Sequence, residues 1–192
     1  MFAWRQIHGL QLLRDQEPLP DGTDEMVVPI LTNILHLPEP LPLLKALYGD
    51  LAARITMAHA AIANPVELML GLALLERARS ERCTYALSGL HVHFDLHHRV
   101  HIQVADDSVY SPVFLLEAAG NAHPFVLLAI EIDNRDFPAD SPLYAMLTEH
   151  RILVCRVTEQ EIADDPFLCA AQCFSMVQSA MPDHLDVRKT HT

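Results

Sequence analysis

Residues 125–133 read FVLLAIEID. Phe125 to Ile130 are all apolar, and Glu131, Ile132 and Asp133 close the run. Such an apolar strand is covered on both faces and belongs in the interior of a sheet. Residues two apart in a strand share a side, so Glu131 and Asp133 project together from its end. Strand ends are where α/β sheets place functional groups, so this pair is the first candidate site.

Working outward, the period of two recurs upstream. TYALSGLHVHFDL (84–96) and RVHIQVADD (99–107) read as antiparallel strands joined near His97 and His98, and VYSPVFLLEAA (109–119) as a further strand. Downstream, DSPLYAMLTEHR (140–151) predicts a short helix capped by Asp140 or Ser141, and RILVCRV (151–157) a buried strand. TEQEIADDPFLCAAQCFSMVQSAM (158–181) supplies the last helix, with Asp164 or Asp165 before Pro166 as its start. Before the strands, NPVELMLGLALLERARSER (64–82) predicts a helix capped by Asn64, with Pro65 in its first position and Glu67 in its first turn.

The spacing in 42–63 predicts another helix, and 1–40 is an irregular segment punctuated by proline, with room for short strands or helices. The chain therefore divides into an N-terminal extension (1–63), a core (64–181) and a flexible polar tail (182–192). Helix, strands, helix, strand and helix in that order predict an α/β fold.

The bulk properties narrow the function. A net charge of -12 disfavours loose attraction to nucleic acid or anionic lipid, because such binding neutralises phosphates. No apolar run reaches bilayer length, and the opening MFAWRQIHGLQLLRDQ lacks the features of a signal peptide, so a cytoplasmic protein without membrane association is expected. Cys83, Cys155, Cys169 and Cys173 lack paired metal-binding spacing and read as buried free thiols in a reducing compartment. His91, His93 and Asp95 share one strand face, with His101 on the next strand; a metal set and a solvent-facing polar side are both readings of that alternation. There is no phosphate-cradling glycine loop and no nucleophile elbow.

Taken in order, NPVELMLGLAL, HIQV, VYSPVFLL, LLAIEIDN and ILVCRVTEQEIADDPFLCAAQ resemble the restriction-endonuclease-like PD-(D/E)XK superfamily. The similarity is to small bacterial domains related to very-short-patch-repair endonucleases, and covers about residues 64–178. The resemblance implies a restriction-endonuclease-like mixed sheet flanked by helices. It also aligns Glu67 with the first-helix glutamate, Gln103 with a conserved-pattern glutamine, and Glu131 and Asp133 with the central-strand acids. The family's Val-Asp-Phe corresponds to Pro112-Val113-Phe114, so valine replaces a metal-binding aspartate, and Asp133 stands where the superfamily has lysine. Asn134, Arg135 and Pro138 replace the glycine and histidines that follow.

Hydrolysis by such enzymes needs Mg²⁺ held by converging carboxylates from adjacent strands. Glu117 is a substitute ligand only if the chain bends, since four residues of strand span about 13 Å. The expected catalytic relics are therefore Glu131, Asp133 and Glu67, the binding residues Gln103, Glu117 and Arg135, and the metal candidates Glu117, Glu131 and Asp133. The resemblance implies a cofactor-free, non-catalytic nuclease-fold component of bacterial DNA processing, defence or mobile elements. It would act through a protein partner or a second copy, with nucleic acid held by that partner. The alternatives are a Mg²⁺-dependent DNA endonuclease with rearranged carboxylates and a histidine-based metalloenzyme.

Overall fold

The computed structural model describes residues 2–7, 10–15, 65–105, 108–120, 124–132 and 142–182. Its elements in chain order are β1 (Phe2–Ile7), β2 (Leu10–Asp15), α1 (Pro65–Leu87), β3 (His93–His98), β4 (His101–Ala105), β5 (Ser108–Tyr110), β6 (Phe114–Ala119), β7 (Pro124–Ile132), α2 (Pro142–Glu149), β8 (Ile152–Val157), α3 (Glu159–Asp164) and α4 (Pro166–Ala180). The expected helix at 42–63, the capping residues Asn64, Asp140 and Ser141, and the tail beyond residue 182 lie outside the described residues.

The FVLLAIEID strand decides the architecture as its composition predicts. β7 is an interior strand of a four-stranded sheet ordered β3-β6-β7-β8. β3, β6 and β7 run antiparallel, and β8 joins β7 in parallel. A parallel pair needs a crossover, and α2 lies within it. The protein is thus mixed α/β around a mixed sheet.

Alternation along the strands sorts two cores. Phe94, Phe114, Leu116, Leu128 and Ile130 meet the buried stripes of α1, α3 and α4 on one face. Phe94 and Phe174 bring their rings to 5.3 Å there. Leu115, Leu127 and Ala129 face the other way, against Leu147 of α2 and Ile102 and Tyr110 of β4 and β5. Each buried Leu or Phe in these layers contributes roughly 1.5–3 kcal/mol relative to exposure.

Several expectations are corrected. The segments 84–96 and 99–107 do not form a hairpin: β3 pairs with β6, whereas β4 pairs with β2 and β5 in a second sheet ordered β1-β2-β4-β5. The first helix runs five residues past Arg82, because ERCTYAL continues its hydrogen bonding until Gly89 adopts φ 75°. The Leu90 amide then donates to the Tyr85 carbonyl at 2.9 Å, a glycine-dependent helix stop. Residues 109–119 are interrupted at Ser111-Pro112, since proline has no N–H for a ladder. The last helical stretch is two helices. Thr158 opens α3 through a capping box with Glu161, and Asp165 caps α4 ahead of Pro166.

Candidate functional site

Glu67, Glu117 and Glu131 are all buried, at 5 %, 1 % and 4 % exposure, which for carboxyl groups demands partners. Each has them, and they come from three different corners of the fold.

Glu131 stands on the face of β7 shared with Leu127 and Ala129, near the strand's C-terminal end. The Tyr110 hydroxyl donates to its Oε1. Burial, then the hydrogen bond and charge of Glu131, push the Tyr110 phenol well above its usual range. Across the parallel pair, Glu131 is in register with Arg156 of β8, whose guanidinium lies 4.9 Å from the centre of the Tyr144 ring of α2. A carboxyl, two phenols and an arginine therefore gather at this end of the sheet, three of them missed by sequence reasoning.

The β6–β7 ladder begins with Phe114 opposite Ile130, one step short of Glu131. Val113, just before β6, packs against the core on the α1 side of the sheet and not on the face that carries Glu131. Glu117 is the acid of β6 itself. It pairs with Leu127, four positions from Glu131, and the ladder is regular from Phe114 to Ala118. The two acids share a face but stand about 13 Å apart. Glu117 instead meets His97 Nε2 at 3.2 Å.

Glu67 enters from the opposite layer, on the first turn of α1. Its Oε1 lies 2.6 Å from His98 Nε2 and accepts from Arg99 Nε at 3.0 Å, while Oε2 accepts from Arg99 Nη2 at 2.9 Å. Burial raises the Glu67 pKa, but the His98 and Arg99 hydrogen bonds and charges outweigh it and hold the carboxyl at about 2. Arg99 reaches Glu67 from a left-handed backbone, φ 47°, which costs a non-glycine residue about 1 kcal/mol.

Gln103 lies in β4 between Gln11 of β2 and Val109 of β5, in the second sheet and not beside Glu131 in the ladder. Asp133 and Arg135 lie outside the described residues. His91 and His93 are exposed, Asp95 lies 3.8 Å from Arg82, and His101 Nδ1 is 2.6 Å from the Ser111 hydroxyl, so Asp95 and His101 turn to different neighbours. Among the described residues, no group of three or more His, Cys, Asp or Glu side chains converges on a metal position. No described helix is long and apolar enough to cross a membrane.

Periodicity locates the strand that carries Glu131, but Tyr110 and Arg99 reach the acids, and Arg156 comes into register with Glu131, through turns and cross-strand pairing, which periodicity does not encode. Comparison with known proteins finds no matching family model, no similar curated protein and no similar solved structure.

Proposed function

We propose that the chain is a non-catalytic domain of the restriction-endonuclease-like class, working by binding a protein partner in bacterial DNA processing, defence or mobile-element biology. The succession of helix, antiparallel strands, helix, parallel strand and helix supports the class, because it matches in order the segments whose motifs resemble that superfamily.

The observation that carries the non-catalytic reading is that every described acid of the nuclease set is already engaged by a donor or base of its own chain. Glu131 holds the Tyr110 hydroxyl, Glu117 meets His97, and Glu67 is clamped by His98 and Arg99. Mg²⁺ demands near-octahedral oxygen ligands at about 2.0–2.1 Å. With Glu117 four positions from Glu131 along the ladder and Glu67 in another layer, these three acids do not converge on one such ion. What the sheet end does offer is the exposed Arg156 over Tyr144, a cation and an aromatic ring suited to contacting a partner.

Incubating the protein with supercoiled plasmid and Mg²⁺ or Mn²⁺, beside the Glu131→Ala variant, tests this. Neither should nick the plasmid. Cleavage by the parent that disappears in the variant would overturn the proposal and assign a metal-dependent nuclease centred on Glu131.

A further inference from the structure

The outer face of α4 differs from the rest of the surface. Residues 166–182, PFLCAAQCFSMVQSAMP, contain no charged side chain, whereas α1, α2 and α3 each carry at least one acid. At the start of this helix Phe167 and Leu168 stand 63 % and 56 % exposed. Further along, an open groove of about 570 Å³ runs between α4 and β8, lined by Leu153, Gln172, Ser175, Met176, Ser179 and Ala180. β8 is the outermost strand of its sheet among the described residues. Leu168 shares the side of the helix that carries the groove, so one uncharged face presents an apolar projection and an open recess, separated along the helix axis.

We propose that this face is the contact between two copies of the chain, packed two-fold with their α4 helices antiparallel and Gln172 on the axis. In that arrangement Leu168 of each copy lies opposite Met176 of the other, each four residues or about 6 Å from the axis. Each projecting Leu168 then enters its partner's groove, while Phe167, about 140° round the helix from Gln172, stays outside the contact. A two-fold contact uses the same patch on both copies, so a patch that carries both projection and recess is self-complementary. Asp165, the nearest acid, falls opposite Ser179 and meets no like charge.

Self-complementarity points to a second copy as the occupant, and charge explains why two copies would meet on this face. A molecule of net charge -12 repels its own kind wherever acids face each other. A contact across the charge-free helix avoids placing like charges in register. The 15-residue helix is about 22 Å long, so the interface lies at the small end of specific contacts and a roughly micromolar dissociation constant is expected. The inference stands on α4 and β8 alone and is independent of the nuclease-fold reading.

Light scattering after size exclusion decides it. At a loading of about 100 μM the full chain should approach twice its 21.5 kDa mass, and Leu168→Glu should hold it at the single mass with an unchanged thermal melt. Gln172→Glu and Gln172→Arg place like charges across the axis, so each alone should be monomeric and an equimolar mixture should dimerise. A parent that stays monomeric at that loading overturns the proposal. So does a dimer that survives Leu168→Glu, or a pair of Gln172 variants that fails to re-form one on mixing.

Discussion

Replacing Glu67 by glutamine should destabilise the fold by an amount that depends on pH in a defined window. Its carboxyl is held at about 2, against an ordinary 4.5. At about 1.36 kcal/mol per pKa unit, that difference amounts to roughly 3 kcal/mol of stability. Water reaches the half-exposed Arg99 partner and screens it, which brings the expected figure to about 2 kcal/mol. Because the folded-state value is depressed, the contribution is complete above about pH 4.5 and disappears as the pH falls towards 2. Urea unfolding of the parent and of Glu67→Gln, from pH 7 down to 2, gives two curves. Other acids titrate in both, so the difference between the curves isolates this residue. The difference should be about 2 kcal/mol at pH 7 and shrink through the window from 4.5 to 2. A difference that stays constant across that window would refute the assignment.

The partner residue supplies an internal control. Arg99→Ala loses the two bonds to Glu67 and keeps a Cβ in the left-handed region, whereas Arg99→Gly loses the same bonds but relieves the backbone. The alanine variant should therefore be the less stable of the two by about 1 kcal/mol.

Two further outcomes are expected. Tyr110→Phe strips a buried hydrogen bond from Glu131 and should cost about 1–3 kcal/mol at pH 7 by urea unfolding; since the folded phenol is raised above its ordinary 10.0, the parent should lose stability as the pH climbs past that value, and the variant should show a flatter alkaline limb. Of the four thiols, exposed Cys83 should react with a disulfide reagent at the rate of a free cysteine while Cys155, Cys169 and Cys173 wait for unfolding; fast labelling of more than one thiol in the native protein would contradict their burial.

What the sequence made legible follows from what periodicity measures. The unbroken apolar run of β7 announces burial on both faces, and it is an interior strand. Alternation in VHFDL correctly separates Val92, Phe94 and Leu96 as buried from the exposed His93 and Asp95. The same alternation suggested pairing β3 with β4, because adjacent strands usually form hairpins. Partner choice is a tertiary matter: the apolar faces of β3 and β4 serve different cores, so the chain must part between them. Gly89 and Pro112 fall beside element ends, although the stretches that contain them each read as one unbroken strand. The engagement of the acids was not visible, since His97 and Glu117 meet across 20 residues and Glu67 and Arg99 across 32.

The place where the chain parts also explains what the acid of α1 is doing. Only Arg99 and Val100 separate β3 from β4, and in that span the backbone leaves one sheet for the other. A left-handed residue makes so sharp a departure feasible, and the Arg99 amide donates to the Val113 carbonyl at 3.0 Å, tying the corner to the residue just before β6. Glu67 grips the same corner by its side chain and by His98 beside it. An acid on the first turn of α1 is thus used to fasten the junction of two sheets, and its low pKa follows from the same bonds. Without them the left-handed corner at Arg99 would lose its side-chain fastening, so the carboxylate serves the stability of this junction.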